Sequence, residues 1–181
     1  VGVFVVLACL FCLWYTWPVP YEDLVPEGAE CQEISIDAYT FLGEKDNTTQ
    51  DYRATLTPED PVFGQLSSLV EGQSYRHHLD NLFQSRYDLR GGRYEPGDFS
   101  WHVTFHYDVP QEDGTVQKTE VLICGNQYEG GEPYGGTYLY VIIDNLFGSD
   151  EYENWDATVA DQQQWIADVM DVIRQLPMVS E

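Results

Sequence analysis

The feature that most constrains the fold is a strict alternation of apolar and polar side chains at positions 99–109. Alternation with a period of two is typical of a β-strand that buries one face. The predicted buried face carries Phe99, Trp101, Val103, Phe105 and Tyr107, and the polar face carries Ser100, His102, Thr104, His106 and Asp108. Such a strand needs partner strands beside it and an apolar layer over one face.

The rest of the chain supplies both. Alternating residues predict strands at 33–41 and 52–57 that form a hairpin, and Asp113-Gly114 predicts a turn into a strand at 116–124. A Gly-rich loop at 125–136 leads to a strand at 137–143, and apolar stripes predict helices beginning at Thr57 and Asp156. Segment 74–78 is compatible with helix or strand. The order predicts an α+β fold: an antiparallel sheet of about five strands packed by two or three helices, preceded by an N-terminal transmembrane-like helix.

That first helix corresponds to residues 1–17, which are apolar and carry no charge. As a helix they span about 26 Å, close to the roughly 30 Å of a bilayer's hydrocarbon core. The acidic stretch 21–30 has no Lys or Arg, which favours a position outside the cytoplasm. We therefore expect a membrane anchor with the domain outside, at a bacterial cell surface. A cleaved signal peptide and a lipoprotein signal lipidated at Cys9 are the alternatives.

Composition divides the 181 residues into three segments. Residues 1–20 form the membrane anchor or signal segment, 21–32 an acidic Pro-containing linker, and 33–181 a single α+β domain. Plentiful aromatic residues argue against disorder. This layout resembles the secreted, lipoprotein-like or anchored domains of Gram-positive bacteria. The resemblance lies in composition and architecture, contains no specific motif, and implies no functional residue.

Charge excludes one class of partner. With eight Lys and Arg against 31 Asp and Glu, the formal net charge is −23, so the domain as a whole repels nucleic-acid phosphates. One basic segment interrupts this acidity, and its candidate ligand-binding residues are Arg76, His77, His78, Arg86, Arg90, Arg93 and Tyr94. Arg side chains bind carboxylate, phosphate or sulfate in a bidentate manner. The segment predicts a site for a protein, peptide, glycan or small anion, unless its arginines pair with the domain's own carboxylates.

Few residues indicate chemistry. His102 and His106 are weak candidates for a general base, and on a strand they lie about 13 Å apart, too far to share a metal ion. The sequence has no nucleotide-binding, nucleophile-elbow or zinc-protease motif, and the acidic stretch 150–156 lacks the spacing of a calcium loop. We predict no cofactor and no metal. Cys31 and Cys124 form a disulfide or remain free thiols.

The sequence therefore predicts a membrane-tethered extracytoplasmic domain that acts as a binding or interaction module and is not an enzyme. The alternative is a small extracytoplasmic hydrolase or transferase that uses a histidine base.

Overall fold

The computed structural model describes residues 2–42, 49–77, 97–127, 138–142, 152–157 and 162–177. These residues form an α+β fold, as predicted. Its elements, in chain order, are α1 (Gly2–Tyr15), β1 (Val19–Pro20), a 3₁₀ turn (Tyr21–Asp23), β2 (Glu30–Phe41), β3 (Thr49–Leu56), α2 (Pro61–Glu71), β4 (Ser74–His77), β5 (Phe99–Pro110), β6 (Val116–Gln127), β7 (Tyr138–Ile142), β8 (Tyr152–Ala157) and α3 (Gln162–Ile173).

The described strands make one eight-stranded sheet in the order β1-β4-β8-β7-β6-β5-β2-β3. All neighbouring pairs are antiparallel. The sequence predicted β2, β3, β5, β6 and β7, left β4 open and did not predict β1 and β8; β1, β4 and β8 lie together at one side of the sheet. Segment 74–77, whose conformation the sequence left open, is extended and pairs with β1 and β8.

Helices α2 and α3 cover one face of the sheet, where the predicted apolar side of β5 is buried. Trp165 of α3 packs edge-on against Trp101 of β5, with ring centroids 6.4 Å apart. Its indole Nε1–H also donates a hydrogen bond to the Leu69 carbonyl oxygen of α2 at 2.9 Å. Trp165 therefore joins both helices to the sheet.

Both predicted helix starts were wrong. The α2 helix begins at Pro61, not at Thr57, and Asp60 before it is extended with φ −80° and ψ 131°. A residue that precedes proline is pushed out of the helical region, so residues 57–60 form a turn in which the Asp60 carboxylate accepts from the Thr57 N–H at 2.8 Å. Asp156 does not cap α3, because it lies in β8 opposite Arg76. The predicted acidic loop therefore contains part of a strand.

The N-terminal helix α1 has 14 residues, and none of them is buried. In the described ranges, no helix combines the length and the apolar character needed to cross a bilayer. The transmembrane part of the predicted architecture is therefore not supported.

Residues that follow α1 pack into the domain. Val19 of β1 lies opposite Tyr75 of β4, and Leu24 is buried. The hydroxyls of Tyr21 and Tyr107 are 2.8 Å apart and hydrogen-bonded in the core. Segment 21–32, predicted as a linker, therefore contributes side chains to the core, and only residues 16–18 separate α1 from the sheet.

Of the two alternatives for Cys31 and Cys124, the disulfide is absent, since Cys31 is a free thiol. Cys31 lies opposite Tyr107 of β5, whereas Cys124 lies opposite His102, with β5 between them. At about 3.3 Å per residue and about 4.8 Å per strand, their Cα atoms are much farther apart than the roughly 6 Å that a disulfide needs. Burial raises the pKa of the Cys31 thiol to about 11, so it is a poor nucleophile at neutral pH.

Candidate functional site

The candidate site lies on the sheet surface opposite the helices. We call this surface the polar face and define it by its central residues: Glu33, Ser35, Asp37, Arg53, Thr55, His102, Thr104, His106 and Glu120. Each belongs to β2, β3, β5 or β6, and the strand pairing places them in cross-strand rows. Antiparallel sheets commonly bury one face and leave the other to solvent, and these residues are half-buried or exposed.

A β-bulge determines which side chains of β2 reach this face. The pairing of β2 with β5 shifts by one residue between Cys31 and Glu33. A bulge of this kind reverses the alternation of side chains along a strand. Cys31 before the bulge consequently packs against the core, while Glu33 after it lies opposite His106 on the polar face.

His106 is at the centre of a hydrogen-bonded group. Its Nδ1 is 2.9 Å from the Glu120 Oε1 atom, and its Nε2 is 2.9 Å from the Ser35 Oγ atom. An ionised carboxylate only accepts hydrogen bonds, so the network assigns the ring proton to Nδ1 and leaves Nε2 to accept from the Ser35 hydroxyl. Ser35, His106 and Glu120 are thus connected as a hydroxyl, an imidazole and a carboxylate in series.

A second carboxylate borders this group. The Glu33 Oε1 atom is 3.5 Å from Ser35 Oγ and 4.0 Å from His106 Nε2. It is therefore an alternative acceptor for the Ser35 hydroxyl, at a longer distance than His106. The His106 side chain is 31% exposed and that of Glu120 is 45% exposed, so solvent reaches the ring without reorganisation of the strands.

The neighbouring row contains the other predicted histidine. His102 lies opposite Asp37, and the Asp37 carboxylate is 3.2 Å from Arg53 Nε. Partial burial lowers the pKa of His102, and the negative charge of Asp37 offsets part of this effect. The Asp37–Arg53 ion pair is more than half exposed, and pairs of this kind contribute about 0–1 kcal/mol to stability.

The distances around His106 can be compared with those of activated nucleophiles. A hydroxyl and a base within about 2.6–3.2 Å, with the base oriented by a third group, is the general signature of nucleophilic catalysis. Both distances around His106 satisfy it. In the part of the chain that the structure describes, no group of three or more His, Cys, Asp and Glu residues is placed so that it could hold a metal ion.

The predicted basic segment lies largely outside the described residues. His78, Arg86, Arg90, Arg93 and Tyr94 all belong to the range 78–96, which is not described. Arg76 and His77 lie in β4, and Arg76 is exposed. The ligand site proposed for this segment stays a prediction, as does lipidation of Cys9, which is an exposed free cysteine in α1.

Sequence reasoning identified His106 but missed Ser35 and Glu120. Strand alternation indicates which residues share a face, yet it does not indicate which residue of one strand lies beside which residue of the next. The register of β2 with β5 brings Ser35 to the imidazole, and the register of β5 with β6 brings Glu120 to it.

Comparisons of the chain with models of known protein families, with curated proteins and with solved structures find no match.

Proposed function

We propose that this protein is a membrane-tethered extracytoplasmic binding module, with α1 as the part embedded in lipid. The observation that supports the proposal is that α1 buries none of its residues on the domain. Nine of its large apolar side chains are exposed, by between 45% and 77%: Val3, Phe4, Val5, Val6, Leu7, Leu10, Phe11, Leu13 and Trp14.

A helix with this many exposed apolar side chains is more stable when lipid or protein shields them from water. Burial of one large apolar side chain is favourable by about 1.5–3 kcal/mol. A helix that is apolar on all sides is suited to lipid or to a protein core. Lipid is favoured over a protein groove because the apolar side chains surround α1 and do not form a single stripe. Trp14, Tyr15 and Trp17 at its C-terminal end are residue types that favour the interface between lipid and water.

The domain is proposed to lie outside the cytoplasm, since the acidic segment 21–30, which follows α1, contains no Lys or Arg. Its ligand surface is proposed to include the basic segment, of which Arg76 is exposed on β4. A basic surface on a chain with a net charge of −23 would favour ligands that carry carboxylate, phosphate or sulfate groups.

Flotation on a density gradient tests the tether. The full chain in a neutral detergent is mixed with phosphatidylcholine, and the detergent is removed by dialysis. We expect the chain to float with the vesicles, and to do so in high salt because burial of apolar surface is not screened. Changing Leu7→Asp and Leu10→Asp together should abolish flotation, since each carboxylate costs about 2.5–3.5 kcal/mol at the centre of a bilayer.

Val116→Asp is the matched control, because Val116 is as exposed as these leucines, at 58%, but lies at the start of β6. This variant should float like the unaltered chain. If the unaltered chain sediments without vesicles, or runs as a discrete oligomer that vesicles do not dissociate, a second copy covers α1 and the proposal is wrong.

A second candidate function is favoured by the hydrogen bonds of His106 to Ser35 and Glu120. It is a small extracytoplasmic hydrolase or transferase in which His106 is the general base. Of the two predicted histidines, His106 is preferred because a hydroxyl and a carboxylate both lie 2.9 Å from its ring.

A further inference from the structure

We propose that Ser35 is a nucleophile that forms covalent adducts with small uncharged acyl and phosphoryl compounds. This inference rests on the second candidate function and is independent of the membrane tether. Its basis is the series of contacts from Ser35 Oγ to His106 Nε2 and from His106 Nδ1 to Glu120 Oε1, both at 2.9 Å. A serine hydroxyl is a weak nucleophile unless an adjacent base removes its proton.

With a carboxylic ester, Ser35 Oγ bonds to the carbonyl carbon while its proton passes to His106 Nε2. The bond between that carbon and the leaving alcohol oxygen then breaks, and the alcohol takes the proton from His106. Water hydrolyses the resulting acyl-serine in the same way and restores the hydroxyl. With a dialkyl fluorophosphate, Oγ bonds to phosphorus, fluoride leaves, and the proton passes through His106 to solvent.

The two glutamates beside His106 have opposite roles in this proposal. Glu120 is a positioning residue, since its carboxylate accepts from Nδ1 and so keeps Nε2 free of a proton and directed at Ser35. Glu33 competes with His106 for the Ser35 hydroxyl at 3.5 Å. It also places a negative charge close to the oxygen at which the transition state becomes negative.

The surroundings of Ser35 indicate the substrate class. Glu33, Glu120 and the net charge of −23 repel anionic substrates, so the reactive compounds are uncharged. Ser35 lies in a strand that is paired on both sides, opposite Thr55 and Thr104, so its backbone belongs to the sheet ladders. Threonine hydroxyls are therefore the neighbouring donors for an oxyanion. Loss of one oxyanion donor slows a reaction by about 100- to 1,000-fold. Because the backbone of Ser35 is held in the sheet ladders, turnover should be slow, and we expect adduct formation to be easier to measure than turnover.

The experiment measures covalent labelling. The full chain in neutral detergent micelles is treated with a dialkyl fluorophosphate, and intact mass and peptide mass spectrometry give the rate and position of the adduct. We expect one adduct per chain, on Ser35, and none in Ser35→Ala. The exposed Ser68 of α2, whose hydroxyl donates to the Gly64 carbonyl oxygen, is the internal comparison and should stay unlabelled.

Variants around the ring separate activation from structure. His106→Gln should slow labelling by about 100-fold, a usual contribution of a general base. Glu120→Gln should slow it by about tenfold or more, and Glu120→Asp, which restores a carboxylate, should recover part of the rate. Glu33→Gln should raise the rate, because it removes a negative charge beside the Ser35 hydroxyl. Glu112→Gln, at an exposed residue of the loop between β5 and β6, is the matched control and should label normally.

Circular dichroism and thermal unfolding establish that each variant is folded. The absence of an adduct on Ser35, or an unchanged rate in His106→Gln, overturns the proposal. So does an equal loss of rate in Glu33→Gln and Glu120→Gln, because a merely structural role for the carboxylates would affect both alike. If His106→Gln does not fold, the comparison of the two glutamate variants decides. None of these outcomes depends on whether the chain floats with vesicles.

Discussion

At the scale of single residues, Thr119 buries a hydroxyl group that makes no hydrogen bond within the described residues. Its side chain is 3% exposed and faces the core, and its Oγ1 atom has no hydrogen-bond partner within the described part of the chain. Burying a hydroxyl without a partner costs about 1–3 kcal/mol. A methyl group of the same shape would avoid this cost.

We therefore predict that Thr119→Val raises the free energy of unfolding by about 1 kcal/mol, measured by urea denaturation. Thr55→Val on β3 is the control, because Thr55 is exposed and its hydroxyl is available to water. A loss of stability in Thr119→Val would show that the hydroxyl has a partner that the described residues do not include.

Residue pairing also explains what the sequence could and could not predict. Alternation correctly placed His102 and His106 on one face of β5, because that pattern depends only on the local chain. The partners of His106 depend on register. Asp113-Gly114 was expected to form a turn, and it lies in a loop of three residues with Gly114 at φ 83°, closed by the Gln111 N–H that donates to the Thr115 carbonyl oxygen. A loop of two residues would have shifted β6 by one residue and placed Glu120 on the opposite face.

At the scale of elements, two aromatic side chains complete the C-terminal end of α2. The last four carbonyl groups of a helix lack partners within it. The Trp165 indole donates to the Leu69 carbonyl oxygen at 2.9 Å, and the Tyr75 hydroxyl donates to the Val70 carbonyl oxygen at 2.7 Å. One donor comes from α3, 96 residues along the chain, and the other from β4, five residues after Val70, so the end of α2 is fixed by one distant element and one adjacent element.

Trp165→Phe should therefore lower the free energy of unfolding by about 1–3 kcal/mol, because the Leu69 carbonyl loses its donor and the smaller phenyl ring leaves part of the buried site empty. Trp14→Phe in α1 makes the same change at a side chain that is 72% exposed, and it should leave the domain's stability unchanged. Chemical denaturation monitored by circular dichroism in micelles measures both. Equal effects of the two substitutions would contradict the capping role of Trp165.

Sequence patterns predicted the central elements of the sheet better than its margin. Strands β2, β3, β5, β6 and β7 are long or clearly alternating, whereas β1 and β4 have two and four residues and are strands only because partners hold them. The start of α2 was predictable in principle, since Pro61 excludes a helical conformation at Asp60. The strand β8 was not, because one of its two partners, β4, lies 80 residues away, as the pairing of Arg76 with Asp156 shows, while the other is β7.

At the scale of the whole molecule, the core contains a cluster of three tyrosines, Tyr21, Tyr75 and Tyr107. Burial is the main cause that raises the pKa of each phenol above its ordinary value of 10.0. Burial also raises the pKa of Cys31 from 9.0 to about 11. A group whose pKa is raised in the folded state gives stability that is complete below its unfolded pKa and is lost as pH rises toward the folded value.

We therefore predict that the free energy of unfolding is steady up to about pH 9 and falls steeply above pH 10. The absorbance of phenolate at 295 nm should show these three tyrosines ionising together with unfolding, while exposed tyrosines ionise first. The triple variant Tyr21→Phe, Tyr75→Phe and Tyr107→Phe, if folded at neutral pH, should show a shallower alkaline loss. A free energy that is constant between pH 9 and pH 12 would contradict burial of the cluster.

The short connection between α1 and β1 limits how far the domain can lie from the surface that holds α1. Residues 16–18 can extend at most about 10 Å, and Tyr21 is fixed in the core, so the domain cannot move away from whatever holds α1. A ligand presented on the same surface would then meet the domain within a layer hardly thicker than the domain itself. Confinement of this kind sets the effective concentration, which for short linkers reaches the millimolar range, so an intrinsically weak binding site would still be largely occupied.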